Sequence, residues 1–265
     1  MLEALDLSFR WPESEAWVLR NLSLRIAEGE KVVLLGANGC GKSTLLRLLN
    51  GLLFAESGEV RWHGRRLERE AFREREFARD FRRRNTLLFQ HPEAMLFNPT
   101  VREEIAYGPR QLGLDDTDAR VERWAAELKL SGQLHLPPFA LSGGQKQKLA
   151  LACLLVLDPA LLLLDEPSAA LDPRTTGWLI DTLLDSDKTL LISTHNLSLA
   201  GELGDRALVM NEQGELIFDG PLAEALGDLR LLEAAGLAHR HRHRHHGVSH
   251  AHLHVHDWEA GPTTA

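Results

Sequence analysis

Apolar residues along the chain fall into two rhythms. Short unbroken runs bounded by turn residues, at 31–35, 86–89, 161–164 and 189–193, have the length of strands buried on both faces. Longer helical stretches, at 43–50, 116–130 and 145–157, separate them. Strand and helix in alternation predict an α/β fold around a mostly parallel sheet. The opening stretches, 3–10 and 18–26 with Gly29 after them, alternate more like antiparallel strands and predict a β side sheet. From 98 to 138 the strand signal fades, which predicts a mainly helical insert. Segment 65–84 carries nine arginines and five acids, the mixed signs of a solvated charged helix or linker, and no chemistry is assigned to it.

Composition narrows the classes. The 265 residues fit one large domain or two small ones. Lys and Arg number 30 against 38 Asp and Glu, and the resulting formal net charge of −8 argues against a nucleic-acid partner. Cys40 and Cys153 lie far apart and form neither a metal-finger nor a disulfide spacing, which fits a reducing compartment. Residues 1–13 contain acids and no apolar stretch, unlike a secretory signal. The longest apolar run, 149–157, stops at Asp158-Pro159, short of the roughly 20 residues that span a bilayer. A soluble chain that reaches a membrane only through a partner is expected.

Chemistry enters at Gly36-Ala-Asn38-Gly39-Cys-Gly41-Lys42-Ser43, which fits the phosphate-loop pattern GxxxxGK[ST]. It follows an apolar strand and opens a helix, the context in which the pattern carries meaning. Glycines let the backbone curl so that N–H groups face an anion, and the helix N-terminus adds its dipole. Lys42 can then reach the β- and γ-phosphates of a nucleotide, the Ser43 hydroxyl can bind Mg²⁺, and Thr44 adds a hydroxyl near the α-phosphate. A second set of groups follows the run 161–164. An acid at the end of a buried strand stands at the carboxyl edge of the sheet, where ligands bind in open α/β folds. Asp165 is therefore expected to hold Mg²⁺ through water, and Glu166 to polarise an attacking water.

Leu141-Ser142-Gly143-Gly144-Gln145 stands just before the apolar helix 146–157. Ser142 with Gln145 three residues later forms a capping box. A plain cap leaves the two glycines unexplained, since each lowers helix propensity in the first turn; their N–H groups can hold a phosphate. This pentapeptide is the LSGGQ signature, and with it the chain resembles the ATP-binding-cassette ATPases over about residues 2–225. Further elements appear in the family's order: Trp11 where an aromatic stacks on adenine, Gln90 as the Q-loop glutamine, Ser168-Ala-Ala-Leu-Asp172 as the D-loop, and His195 as the switch histidine. A narrower resemblance, through Gln90-His-Pro-Glu-Ala-Met-Leu-Phe97 and Thr100-Val101, is to energy-coupling-factor transporter ATPases of the cobalt and nickel importer branch. Met95, where that pattern has glutamine, and Ala170, in place of a common D-loop glycine, depart from it without removing a catalytic group.

The resemblance implies a P-loop NTPase core with parallel sheet, antiparallel side sheet and helical subdomain. The ATPase domain would cover 2–232, with its nucleotide core at 2–90 and 146–232 and the helical subdomain at 91–145. It implies ATP and Mg²⁺, the ion held by Ser43, Gln90 and Asp165, with Lys42, Gln90, Glu166 and His195 serving hydrolysis. It also implies a composite site in a head-to-tail dimer with a second copy or a paralogous ATPase. One protomer brings Trp11, the 36–44 loop, Gln90, Asp165, Glu166 and His195; the other brings Ser142, Gly144 and Asp172. Closure on ATP and opening after hydrolysis would drive integral membrane transporter subunits, with the chain peripheral at the cytoplasmic face. Met95, Leu96 and Phe97 lead into the insert where the family contacts its membrane subunit.

Nine of the thirteen histidines fall in one stretch: His239, His241, His243, His245, His246, His250, His252, His254 and His256. Nine residues follow the last of them, unlike a terminal expression tag. Imidazole suits nickel, copper and zinc, with cobalt plausible, and spacing of two sets successive rings on one side of an extended chain. A flexible metal-binding tail, 233–265, is expected, with Ni²⁺ or Co²⁺ first. Other readings stay open: an importer ATPase for zinc or a vitamin, or a metal-storage or sensing protein that carries a cassette. ATPases of DNA repair need coiled-coil arms or zinc modules, and tandem translation-factor relatives need a second cassette; the sequence holds none of these.

Overall fold

The computed structural model describes the backbone of residues 1–245 and 248–255, with side chains through residue 238. The chain opens with an antiparallel pair, β1 (Leu2–Phe9) and β2 (Leu19–Ile26), then enters the core through β3 (Lys31–Leu35) and α1 (Lys42–Leu49). β4 (Ser57–Trp62) and β5 (Arg65–Arg66) return to the first pair and complete a four-stranded side sheet in the order β2-β1-β4-β5. Next come α2 (Arg75–Arg84), β6 (Asn85–Leu88) and the helical block α3 (Val101–Leu112), α4 (Thr117–Glu127) and α5 (Gly143–Leu155). β7 (Leu161–Asp165), α6 (Pro173–Leu184), β8 (Thr189–Thr194), α7 (Leu197–Ala200) and β9 (Arg206–Met210) rebuild the core. β10 (Leu216–Pro221), α8 (Leu222–Gly227) and α9 (Leu229–Ala234) follow, before the hairpin β11 (Ala238–His245) and β12 (Val248–Val255).

The six-stranded sheet runs β10-β9-β3-β8-β7-β6. Four of its five pairings are parallel; at the edge β10 turns back antiparallel on β9. The central strands β3, β7, β8 and β9 are buried on both faces and mainly apolar, and their period of two divides their side chains between two cores. Val33, Leu35, Leu162, Leu164 and Ile192 face the core built with α3, α4 and α5. Val32, Leu34, Leu161, Leu163 and Leu191 face the core shared with α1 and the side sheet. The α/β core, the side sheet and the helical insert thus follow the apolar rhythm of the chain.

Segment 65–84 differs from the expected solvated helix. Phe81 on α2 is buried, stacks on Phe77 at 5.9 Å and meets Phe72 and Trp62 edge-on at 5.2 and 5.5 Å. Arginines dominate the composition there, yet the spacing of four between Phe77 and Phe81 gives the helix one apolar face. Among the described residues, no helix is long and apolar enough to cross a membrane. The terminal hairpin sets His239 opposite His254, His241 opposite His252 and His243 opposite His250 in its backbone register.

Candidate functional site

Parallel register brings the carboxyl ends of β3, β7 and β8 to one edge, with Leu35 beside Thr194 and Asp165 beside Ser193. The residues that follow these strands therefore meet there. At the end of β3 the loop turns into α1 through Gly41, at φ +105, a left-handed conformation that favours glycine. A Cβ at Gly41 would lie 2.9 Å from the Val18 carbonyl oxygen, so the side sheet also closes the loop to larger residues. Lys42 is buried, and its Nζ donates to the carbonyls of Gly36 at 2.7 Å and Ala37 at 3.1 Å.

A cavity of about 280 Å³ opens over this loop. Asn38, Gly39, Gly41, Lys42, Ser43 and Thr44 form its floor, Asp165, Glu166 and Gln90 one wall, and Trp11 with Val18 the other. Trp11 is 41% exposed and braced edge-on by Phe9 at 5.1 Å, so an aromatic face is free for a planar ring. Wider clefts, about 420 and 520 Å³, lie at the amino ends of the strands and between α4 and α6, away from the phosphate loop.

The two acids differ in setting. Asp165 accepts from Ser193 Oγ at 2.6 Å, which fixes its carboxylate over the loop. Ser43 and Asp165 supply hard oxygen donors on the same cavity wall and floor, a donor set that suits Mg²⁺. Glu166 takes φ +49, a strained backbone for a residue with a side chain, and its N–H donates to Ser193 at 3.2 Å. That twist brings Glu166 Oε1 to 2.7 Å from His195 Nδ1. His195 follows β8 and remains 44% exposed on its side chain, while Glu166 is buried. Ser193 was invisible as a site residue from motifs: its only signal is its place beside Asp165 across two strands.

Ser142, Gly144 and Asp172 do not line this cavity. They form a separate surface at the N-terminus of α5. Ser142 Oγ accepts from Gln145 N–H at 3.4 Å, and Gln145 Oε1 accepts in return from Ser142 N–H at 2.9 Å, a complete capping box. Asp172 caps α6, and its carboxyl is lowered to about 2 by the Thr175 hydroxyl, then the Thr175 N–H, with Lys148 adding to both. Buried Gln147, which carried no motif signal, donates to the Pro167 carbonyl at 3.0 Å and ties this surface to the loop after Glu166. Burial pushes the Cys40 thiol up, so it stays protonated inside the phosphate loop.

Of the apolar trio after Gln90, Met95 and Leu96 pack against the helical core, whereas Phe97 is 66% exposed and meets Tyr107 edge-on at 4.9 Å. Lys146 reaches Glu93 at 3.4 Å and links this segment to α5. The expected tail ligands stand apart. The side chains of His239, His241, His243, His245, His250, His252 and His254, and all of His246 and His256, lie outside the described residues. Among the described residues no cluster of three or more His, Cys, Asp or Glu is suited to a metal.

A phosphate loop between strand and helix, with acids at the end of a neighbouring parallel strand, defines a P-loop nucleoside triphosphatase. The chain belongs to the ABC transporter family, whose model matches residues 19–169, and within it is an ATPase. It is 43% identical over 228 residues to the nickel import ATP-binding protein NikO of Rhodobacter capsulatus, covering 83% of this chain and 89% of that one. It is 37% identical to the energy-coupling factor transporter ATP-binding protein EcfA of Methanothermobacter thermautotrophicus, covering 89% and 76%. The fold matches cbiO1 of Clostridium perfringens, part of the ABC transporter complex cbiONQ, at TM-score 0.71 and 28% identity over 88% of this chain and 92% of that one. A bacterial ABC transporter cassette solved as a dimer matches at TM-score 0.71 and 27% identity, covering 84% and 99%.

Proposed function

We propose that this chain is the ATP-hydrolysing subunit of an energy-coupling-factor importer for nickel or cobalt. The observation that carries the metal assignment is the alternating histidine tail on a cassette related to a nickel import ATPase. ATP enters the cavity with its base against Trp11 and its phosphates over the loop. Lys42 leaves the Gly36 and Ala37 carbonyls for the β- and γ-phosphates. Ser43, Asp165 and Gln90 would hold Mg²⁺, which when bound would neutralise phosphate charge. Glu166 orients the attacking water, and His195, hydrogen-bonded to it, keeps that carboxylate aimed.

The surface carrying Ser142, Gly144 and Asp172 faces the opposing protomer's nucleotide in a head-to-tail dimer. Three facts support this: the surface lies outside the chain's own cavity, its signature N–H groups sit at a helix N-terminus, and a related cassette dimerises. The exposed Phe97–Tyr107 pair is the contact to a membrane subunit, and the tail binds the transported metal through neutral imidazoles. Its affinity therefore falls below about pH 6.

The test is uptake of nickel and cobalt in cells that hold the chain with its membrane subunits, as wild type, Glu166→Gln and a deletion of 239–256. Uptake is expected to need Glu166, and to weaken or change metal preference on deletion. ATPase activity without uptake of either metal overturns the substrate assignment. Uptake that ignores the deletion removes the tail from delivery.

A further inference from the structure

The phosphate loop has a partner that its motif does not explain. The backbone N–H of Ala37 donates to the carbonyl of Ala235, at the end of α9, at 3.1 Å. The same residue's carbonyl accepts from Lys42 Nζ at 3.1 Å. Ala37 therefore joins the root of the C-terminal hairpin to the lysine that meets the phosphates.

The connection has little slack. α9 ends in a tight turn, with Gly236 N–H donating to Glu233 at 3.1 Å and Leu237 N–H to Leu232 at 2.9 Å. Gly236 takes φ +69, and a Cβ there would lie 3.0 Å from the Ala37 Cβ and 3.1 Å from Glu212 Oε1. Leu237 and Ala238 are buried in the core that also holds Val33 and Val209 of the central sheet. β11 starts at Ala238, so the first histidine, His239, directly follows an anchored residue. Beyond it, three backbone pairs set histidine opposite histidine: His239 with His254, His241 with His252, His243 with His250.

We propose that this hairpin is a regulatory site for a divalent transition metal, whose occupancy changes nucleotide affinity through the Ala235–Ala37 hydrogen bond. The proposal rests on the reading of the tail as metal-binding. Metal bound by the tail restricts its anchored root, and the bond to Ala37 carries that restriction to the loop. Coupling of this kind is reciprocal: nucleotide changes metal affinity by the same factor.

Three preparations of the full-length chain test it: wild type, a variant with all nine tail histidines replaced by alanine, and one with a flexible Gly-Ser insertion between Ala238 and His239. Calorimetry with nickel alone measures metal binding. Hydrogen exchange at the Ala37 amide, with and without nickel, reads the bond itself. ATP affinity at fixed Mg²⁺, with and without nickel, reads the consequence, and the alanine variant corrects for nickel bound directly by ATP. Wild type is expected to bind nickel, to change Ala37 exchange, and to shift its ATP dissociation constant about fivefold or more relative to the alanine variant. The insertion should keep nickel binding and lose both responses. Nickel binding equal in wild type and alanine variant overturns the tail reading and the proposal with it. Nickel bound by the tail with Ala37 exchange and ATP affinity unmoved, or moved equally in the insertion variant, overturns the coupling and leaves the tail reading standing.

Discussion

The phosphate-loop cavity and the signature surface sit on one chain but are finished to different degrees. In the cavity, functional groups hold one another: Ser193 fixes Asp165, His195 meets Glu166, and Lys42 rests on its own loop. On the signature surface the side chains serve local tasks, as Ser142 caps α5 and Asp172 caps α6. Phe139, beside that surface, is 82% exposed. A half-site with internal partners can be organised before its ligand arrives. On the proposed head-to-tail dimer, groups that only stabilise helix ends in one chain gain a functional partner when the second copy brings its nucleotide.

The largest effect is expected from Glu166→Gln. The amide keeps the shape but not the charge, so ATP binding should survive while hydrolysis falls about 10²–10⁴-fold in a steady-state assay. Turnover near wild type would remove Glu166 from its role. Ser193→Ala comes next: it strips a buried partner from Asp165, and thermal or denaturant unfolding should show a loss of about 1–3 kcal/mol. The same variant should need more Mg²⁺ for half-maximal ATPase activity; an unchanged requirement would mean that Asp165 does not serve the ion.

Ser142 separates cap from contact. Ser142→Ala should cost about 0.5–2 kcal/mol in unfolding experiments, the usual loss of an N-cap. Ser142→Asp keeps a good cap and so should stay near wild-type stability, while its charge repels a phosphate across the dimer and ATPase activity drops. Equal activity in Ser142→Asp and wild type would reduce Ser142 to a helix cap. The smallest effect concerns Asp172. Its carboxyl is held down at about 2 by Thr175, so this contribution to stability is present above the ordinary carboxylate range and lost as pH falls toward 2. Thr175→Val should move the Asp172 titration upward in an NMR experiment, and an unmoved titration would mean that the Thr175 hydroxyl does not hold the carboxylate down.

Sequence made the strands, the phosphate loop and the capping box legible because each is a contiguous pattern: a buried strand is an apolar run and a phosphate cradle is one turn of backbone. Contacts across strands were not legible. Ser193 is 28 residues from Asp165, and only the β7–β8 register makes them neighbours. Gln147 has no motif to distinguish it from other polar residues on a helix, although its amide is buried against Pro167. In α2 the density of arginine masked an aromatic face that only helical periodicity reveals. β10 gives little strand signal either, since it is half exposed at the sheet edge and lacks the long apolar run of a central strand.

The left-handed turn at Glu166 places the chain's interests in conflict. A glycine there would relax the backbone, which costs on the order of 1 kcal/mol or more when a side chain occupies that region. An inactive Glu166→Gly chain would then resist heat better than the working one. A laboratory lineage selected for thermal endurance alone would drift toward silence at this residue, and only continued demand for turnover would hold the acid in place.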